Sequence, residues 1–395
     1  MFDLKAIQNA LGELGFDAWL LYDFRGNNTL ALRVLDLDGK GMASRRFFYL
    51  IPAKGTPQKL VHRIESATLD HLPGDKKVYL RWQELEAGIM ELVSPYKRVA
   101  MEYSPRNAIP YVSQVDGGTI ELVKSTGVSV ESSGDLIQVF EAMWDDEQWN
   151  MHLEADRHND AAFDVAWKMM ADGVRAGKPA TEVSVQAAIM EHFKRNGLTT
   201  YHPPIVGVGP HGGDPHYEPV PMHDSPIREG DFVLVDLWAK MDRPRGVYSD
   251  ITRVGFMGKT VPEEYTNIFK IVQAARDAAV DGVKAAFREK RPLHGWEVDD
   301  AARKVIQKAG YGDHFVHRTG HSIGQETHGN GANMDNLETH DERLVMKRTC
   351  FSVEPGIYLP EFGVRLEVDV FVDGDGEVHV TGGPQSEVLP ILAKY

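Results

Sequence analysis

The sequence predicts a two-domain α/β protein. Its 395 residues are 42% hydrophobic and 26% charged, which is typical of a globular chain long enough for two domains. Short strand-like runs alternate with helical spacing over the first 145 or so residues, and a strand-rich region follows the helices after them. We therefore expect one domain at residues 1–145 and a second at residues 146–395.

The first domain is expected to be a sheet flanked by helices. Apolar residues at helical spacing predict a helix from Leu4 to Leu14. Five runs of apolar and β-branched residues are predicted to be strands, at residues 17–22, 46–51, 77–80, 98–102 and 119–123.

The second half should begin with helices and continue as strands. Helical spacing predicts one long helix at about residues 135–171 and further helices at residues 182–195, 262–287 and 297–309. Residues 232–238 and 247–256 are predicted to pair as strands around a loop at 240–246. From residue 313 onward we expect strands and loops.

The overall composition excludes several classes of function. The formal net charge is −15, which disfavours binding to nucleic acid or to an anionic membrane. No apolar run reaches the roughly 18 residues of a membrane span, and the first residues lack a secretory pattern. One cysteine, Cys350, fits a reducing compartment. These observations predict a cytoplasmic protein.

Candidate metal ligands are concentrated in the second domain, each on or beside a strand-like run. Four carboxylates and one imidazole would be too much negative charge for one core unless cations lay between them. Oxygen ligands with a single histidine suit two divalent ions such as Mn²⁺, Co²⁺, Fe²⁺ or Zn²⁺. The five residues are Asp236, Asp250, His321, Glu354 and Glu367.

Strand geometry explains how these residues can meet. Carboxylates on two strands around a turn can point to the same face, as we expect for Asp236 and Asp250. Period-two alternation puts Arg365, Glu367 and Asp369 on one face. A metal ligand would then lie beside a cationic group able to bind a carboxylate.

Two local motifs suggest other chemistry. Residues 320–324 match a nucleophile elbow, with Ser322 as nucleophile and Asp369 and His379 downstream. An elbow needs an apolar strand before the serine and a helix after it, and the flanking residues suit neither. Residues 207–212 match a dinucleotide-binding fingerprint, but the prolines that follow forbid the required helix, so we predict a loop at the rim of a pocket.

Five segments containing the candidate ligands carry a resemblance to a known family. They are, in the family's order, residues 235–236, 249–253, 319–324, 353–358 and 364–367. The chain resembles the pita-bread metallopeptidases, which include prolidase, aminopeptidase P and methionine aminopeptidase, with creatinase as a non-peptidase relative. The resemblance implies a pita-bread C-terminal catalytic domain and a smaller creatinase-like α/β N-terminal domain.

The resemblance also implies roles for the ligands. Asp236 would bind one ion, Asp250 and Glu367 would bridge both ions, and His321 with Glu354 would bind the second. Manganese would be the first candidate for the two divalent ions, and cobalt, zinc or iron would be compatible with the same ligands.

Further site residues follow from the same motifs. Glu354 would also shuttle a proton, and His216 and His328 would donate hydrogen bonds during catalysis. His317 and Arg365 match positions that line the substrate pocket. Trp238 stands near the first ligand where the family prefers glycine, so we expect it to reshape the pocket.

The implied activity is hydrolysis of the peptide bond before proline, by a dipeptidase or an aminopeptidase. The family also implies a homodimer that acts on small peptides or other small molecules. Two alternatives remain open. One is a same-fold enzyme acting on a non-peptide compound, such as a creatinase-like or ectoine-hydrolase-like C–N hydrolase or a lyase. The other is a binding protein without turnover.

Overall fold

The chain forms two compact units in the computed structural model, Met1–Glu141 and Ala142–Tyr395. The model describes residues 2–39 and 43–395. The division follows Glu141, slightly before the boundary expected from the sequence. Within the described residues, no helix is both long enough and apolar enough to cross a membrane.

The first unit contains one six-stranded sheet with the strand order β4-β3-β2-β1-β5-β6. The pairs β1–β2 and β2–β3 are antiparallel, and the other three pairs are parallel. The elements in chain order are α1 (Leu4–Leu14), β1 (Ala18–Asp23), α2 (Thr29–Val34), β2 (Phe47–Pro52), β3 (Gln58–His62), β4 (Asp75–Tyr79), α3 (Trp82–Val93), β5 (Arg98–Met101), α4 (Gly117–Lys124), β6 (Ser129–Ser132) and α5 (Gly134–Glu141).

One strand prediction in this unit was wrong. Residues 119–123, expected as a strand, lie inside helix α4. The side chain of Asp116 caps the helix by accepting a hydrogen bond from the Thr119 amide, and Ile120 and Val123 are buried three positions apart, on one helical face. The cap and the buried face override the strand propensity of the β-branched residues.

The second unit contains three sheets and five helices within the part of the chain described. Their bounds are α6 (Asp146–Arg175), α7 (Glu182–Arg195), β7 (Leu198–Thr199), β8 (Ile205–Val208), β9 (Phe232–Met241), β10 (Tyr248–Phe256), α8 (Glu263–Glu289), α9 (Gly295–Lys308), β11 (Ser322–Ile323), β12 (Cys350–Val353), β13 (Gly356–Tyr358), β14 (Gly363–Arg365), β15 (Val368–Val372), β16 (Val378–Thr381), β17 (Leu389–Pro390) and α10 (Ile391–Lys394).

The long helix expected at residues 135–171 is divided in two. Helix α5 ends at Glu141, and α6 begins at Asp146. Asp145 and Gln148 form a reciprocal capping box at the start of α6, which satisfies backbone N–H groups that a continuous helix would have paired internally. Helix α7 has the predicted bounds.

The antiparallel pair β9–β10 forms the centre of the second unit. The side chains of Val233, Val235 and Leu237 pack with α6 and α7 in one apolar cluster. Alternation along the strand turns Asp236 and Trp238 toward the opposite face. This face is where the four-stranded sheet β11-β12-β15-β16 and the β13–β14 hairpin bring the remaining ligand candidates.

Candidate metal centre

Asp236 and Asp250 lie on the same face of the β9–β10 pair. In the strand register, Asp236 stands opposite Thr252, and Asp250 stands opposite Trp238. The two carboxylates are therefore diagonal neighbours, close enough for long side chains to interact. Both side chains are buried, with 8% and 4% of their residue surface exposed.

Thr252 joins ligand candidates from distant parts of the chain, and sequence reasoning missed it. Its Oγ1 atom lies 2.9 Å from Asp236 Oδ1 and 2.8 Å from Glu367 Oε2, and it accepts a hydrogen bond from Arg365 Nε at 3.0 Å. A hydroxyl has one proton, so it donates to one carboxylate at a time. Its position two residues after Asp250 on a strand was the available signal.

His321 is placed by a close approach between two backbone segments. A Cβ atom on the preceding Gly320 would lie 1.9 Å from the Ser352 carbonyl oxygen, so only glycine fits there. The His321 amide donates to Ser352 Oγ at 3.0 Å. This contact fixes the histidine beside strand β12, which leads directly to Glu354.

Three of the candidate ligands already have the spacing of a metal site. One donor atom each from Asp250, His321 and Glu367 lies within 4.8 Å of the others. Glu354 adjoins this group, with Oε1 3.3 Å from His321 Nε2, and Asp236 reaches it through Thr252. All five predicted ligands are thus gathered in one site, four of them buried and Glu354 partly buried.

The electrostatics of the site favour bound cations. Burial, followed by the charge of Asp236, raises the pKa of Asp250 well above its usual value. Burial and the charge of Asp250 raise the pKa of Glu367 in the same way. Burial raises the pKa of Glu354 to about 7, against the opposing effect of Arg365. The donor set and its crowded negative charge fit divalent ions.

Arg365 links the candidate ligand Asp236 to the hydroxyl group of Tyr358. Its Nη2 donates to Asp236 Oδ2 at 2.5 Å, and its Nη1 donates to the Tyr358 hydroxyl at 3.0 Å. Arg365 therefore binds the carboxylate of a candidate ligand. Its guanidinium holds Asp236 in place while limiting the negative charge of the site.

His317 lies at the end of this chain of hydrogen bonds. Its Nδ1 is 2.6 Å from the Arg318 carbonyl oxygen and must carry the proton, so its Nε2 accepts from the Tyr358 hydroxyl at 2.7 Å. Burial and the charge of Arg365 lower the pKa of His317 to about 3. The imidazole is neutral and fully engaged, so it supports Tyr358 and Arg365.

Of the two histidines expected on the substrate side, His328 lies directly beside a candidate ligand. The ring of His328 is 4.3 Å from the ring of His321, edge to face. Burial, with smaller effects of Arg318 and His216, lowers the pKa of His328 to about 4. His216 is exposed on the segment after β8. A neutral His328 can donate one hydrogen bond toward a bound ligand.

Trp238 forms an apolar wall next to Asp250. It is 8% exposed, and its ring stacks on His202 with ring centroids 6.2 Å apart. Its Nε1 is buried without a hydrogen-bond partner among the described residues. The side chain therefore occupies the ligand face of the sheet opposite Asp250, and its effect on the pocket stays a prediction.

The structure does not support the competing motifs. Ser322 opens the two-residue strand β11, and its hydroxyl accepts a hydrogen bond from the Gly331 amide. His379 binds Asp373 in the β15–β16 turn at 2.9 Å. Residues 209–213 form a 3₁₀ turn after β8, where a dinucleotide site would need a longer helix.

Comparison with known proteins identifies the family. The model of metallopeptidase family M24 matches residues 150–374, more than half of the chain and all five candidate ligands. The chain belongs to this family and is a metallopeptidase. Divalent metal ions are therefore the expected cofactors.

Individual relatives agree with this assignment. YkvY of Bacillus subtilis (strain 168) is 29% identical over 317 residues, which are 78% of this chain and 81% of that protein. The Xaa-Pro dipeptidase of Lactobacillus delbrueckii subsp. lactis is 28% identical over 240 residues, 60% of each chain. The match to the Lactobacillus protein therefore covers less than two thirds of its length.

A solved structure confirms the fold over nearly the whole chain. The crystal structure of dipeptidase PepE from Mycobacterium ulcerans aligns with a TM-score of 0.66 and 24% identity, covering 98% of this chain and 96% of that one. The predicted mixed α/β architecture with a pita-bread domain is therefore confirmed.

Proposed function

We propose that this metallopeptidase hydrolyses the peptide bond preceding proline in small Xaa-Pro peptides, using two divalent ions. The observation that carries the proposal is the convergence of four carboxylates and His321 in one site, where Glu354 is partly buried and the other four side chains are buried. The Xaa-Pro dipeptidases among its relatives support the choice of substrate.

The ligands divide the work in this proposal. Asp236 would hold one ion, His321 and Glu354 would hold the other, and Asp250 and Glu367 would contribute to holding both, with manganese the first candidate. When bound, the ions supply Lewis acidity for attack by water on the carbonyl before proline. Thr252 and Arg365 keep the carboxylates of Asp236 and Glu367 oriented.

Glu354 is the proposed proton carrier. Its carboxyl lies against His321 and accepts a hydrogen bond from Ser352 Oγ at 3.1 Å. A carboxylate beside the reacting groups can first accept a proton from water and then give it to the leaving nitrogen. His216 and His328 donate hydrogen bonds to the substrate carbonyl or carboxylate, while Trp238 packs against the substrate.

A cytoplasmic homodimer completes the proposal. The thiol of Cys350 is free and buried in strand β12, which is compatible with a reducing compartment. Light scattering at several protein concentrations tests the dimer, and a mass of one chain at every concentration would exclude it.

The decisive experiment combines metal content with turnover. Ala-Pro, Gly-Pro and a longer Xaa-Pro peptide are assayed with Mn²⁺ or Co²⁺ and again after chelation, while elemental analysis counts the ions. Asp250→Ala should lose metal and hydrolysis together. Glu264→Ala, which removes an exposed carboxylate from helix α8, is the control and should retain both.

Each alternative predicts a different result. Two bound ions without cleavage of any peptide would favour a non-peptide substrate on the same scaffold. Absence of metal, with no dependence on Asp250, would refute the proposed centre.

A further inference from the structure

A fully buried carboxylate lies outside the candidate metal centre. Glu182 is the first residue of helix α7, directly after its cap residue Thr181, and its side chain is fully inaccessible. The N-terminal end of a helix favours a negative charge. Burial of a carboxylate is costly unless every lone pair finds a donor.

Glu182 has four donors for its two oxygens. Oε1 accepts from the Val208 amide at 2.8 Å and from His211 Nδ1 at 2.8 Å. Oε2 accepts from the Tyr217 hydroxyl at 2.6 Å and from the Ser225 amide at 3.1 Å. All four partners are placed to donate to the carboxylate, and a Gln side chain of the same size could not satisfy them all, because its NH₂ group cannot accept.

The donors belong to one segment, residues 208–225, which connects the end of β8 to the approach to β9. Apart from two short 3₁₀ turns at 209–213 and 221–223, this segment has no regular structure in the part of the chain described. Glu182 ties it at both ends and in the middle. The Glu182 side chain therefore adds to the few local hydrogen bonds of this segment and accepts from backbone amides at both of its ends.

The segment carries His216 between two anchored neighbours. On one side, the Pro215 carbonyl oxygen accepts from Arg365 Nη1 at 3.4 Å, and on the other Tyr217 donates to Glu182. The Tyr217 ring also stacks on His211, with ring centroids 4.2 Å apart. The residue before His216 is therefore bonded to Arg365 of the candidate metal centre, and the residue after it is bonded to the buried carboxylate of Glu182.

A close backbone contact also restricts the path of the 208–225 segment. A Cβ atom on Gly213 would lie 2.3 Å from the Leu359 carbonyl oxygen, so the segment presses directly on the residue after β13. Its path is set by this contact and by Glu182 together, and small changes at Glu182 are expected to move His216.

We propose that Glu182 is a positioning residue that holds His216 toward the substrate. The proposal rests on the proposed function, because it gives His216 its catalytic task. Glu182 touches neither substrate nor reacting atoms. It acts by holding Tyr217 and His211, and a displacement of His216 by about 1 Å is enough to reduce catalysis severely.

A double-mutant cycle tests this coupling. Glu182→Gln keeps the size and shape of the side chain, but its amide NH₂ group would face partners that also donate hydrogen bonds. We expect kcat for Xaa-Pro peptides to fall about 10–100-fold, with KM changed less and metal content intact. His216→Ala should produce a loss of its own, and adding Glu182→Gln to it should cost little more, because both changes remove the same contribution. Losses that multiply would overturn the proposal.

Two further variants separate positioning from folding. Glu102→Gln alters another fully buried carboxylate, bonded to Trp19 and Asn28 in the first unit, and is expected to change stability without the selective fall in kcat. Glu182→Asp keeps the charge and should recover part of the activity. Equal effects of Glu102→Gln and Glu182→Gln on kcat would count against the proposal.

Hydrogen exchange decides the question independently of turnover. Amides of residues 208–225 should exchange faster in Glu182→Gln than in the wild type, while those of β9 should not. If the wild type fails to cleave any Xaa-Pro peptide, the proposed function fails, and this measurement still tests the anchor. Unchanged exchange in residues 208–225 would refute it.

Discussion

Thr252 stands opposite Asp236 across the β9–β10 ladder, and its hydroxyl oxygen lies 2.9 Å from the Asp236 carboxylate. The same oxygen lies 2.8 Å from Glu367, which follows Thr252 by 115 residues. One small side chain thus links carboxylates that would otherwise only repel each other.

Removal of this hydroxyl should weaken metal binding. Thr252→Val keeps the shape of the side chain and leaves Arg365 Nε and two carboxylates without their shared partner. We expect Mn²⁺ affinity to fall about 10–100-fold, the usual effect of losing an outer hydrogen bond to a ligand. Calorimetric titration of metal-free protein measures it. Thr252→Ser retains the hydroxyl and should bind nearly as the wild type does; equal weakening in both variants would contradict the explanation.

Metal binding should release protons at mildly acidic pH. The pKa values of Asp250, Glu367 and Glu354 are raised in the metal-free site, that of Glu354 to about 7. At pH 6 Glu354 holds a proton that a bound ion must displace, and at pH 8 Glu354 is already largely ionised. Calorimetric titration with the metal ion in two buffers of different ionisation enthalpy should therefore give different binding heats at pH 6. At pH 8 the binding heats in the two buffers should be more similar. Identical heats at pH 6 would contradict the prediction.

Gly320 should tolerate no side chain. The added methyl group of Gly320→Ala would meet the Ser352 carbonyl oxygen at 1.9 Å, whereas the nearest atom to one on Gly324 is 4.0 Å away. We expect Gly320→Ala to lower the free energy of unfolding by about 1–3 kcal/mol and to weaken metal binding by moving His321. Urea unfolding compares it with Gly324→Ala, which should resemble the wild type. Similar losses in the two variants would exclude this steric cause.

Trp238 should control substrate choice without affecting metal content. Its ring fills the space opposite Asp250 on the ligand face of the sheet. Trp238→Ala is expected to lower kcat/KM for Ala-Pro about tenfold and to favour peptides with larger first residues, whereas Trp238→Phe should stay closer to the wild type. Steady-state kinetics on a peptide panel measure both. An unchanged ranking of substrates would show that Trp238 lies outside the working pocket.

His152 should make stability depend on pH. Burial lowers its pKa from 6.5 to about 4, and the neutral ring donates to the Tyr248 carbonyl and accepts from Thr381. The unfolded chain binds the proton first, so this stabilisation is complete above pH 6.5 and disappears as pH falls toward 4, a loss of roughly 3 kcal/mol. Unfolding free energies of wild type and His152→Gln between pH 7 and pH 4 should converge. Parallel curves would contradict the prediction.

The fold near the site was predictable because its elements have strong local signals. Strands β9 and β10 appear in the sequence as long apolar runs, and α7 begins at a capped residue. The secondary-structure prediction was wrong where two local signals competed. β-Branched residues suggested a strand at 119–123, where the Asp116 cap produced helix α4.

The ligands were predictable because their order along the chain is itself informative, although each acid alone is unremarkable. Residues that act through spatial contacts were not. Thr252, Tyr358 and Glu182 have their meaning only once strand register and the path of the 208–225 segment are known. Nothing in a single sequence states that a buried glutamate at a helix start meets a tyrosine 35 residues later.

The ion pair between Asp236 and Arg365 joins residues 129 positions apart. During synthesis the first of these residues leaves the ribosome on the order of 10 s before the second, at ordinary rates of translation. Throughout that interval Asp236 and Asp250 lack their later partners. The five candidate ligands can therefore come together only late in the life of a nascent chain, and a truncated product ending before Arg365 would lack both this ion pair and Glu367.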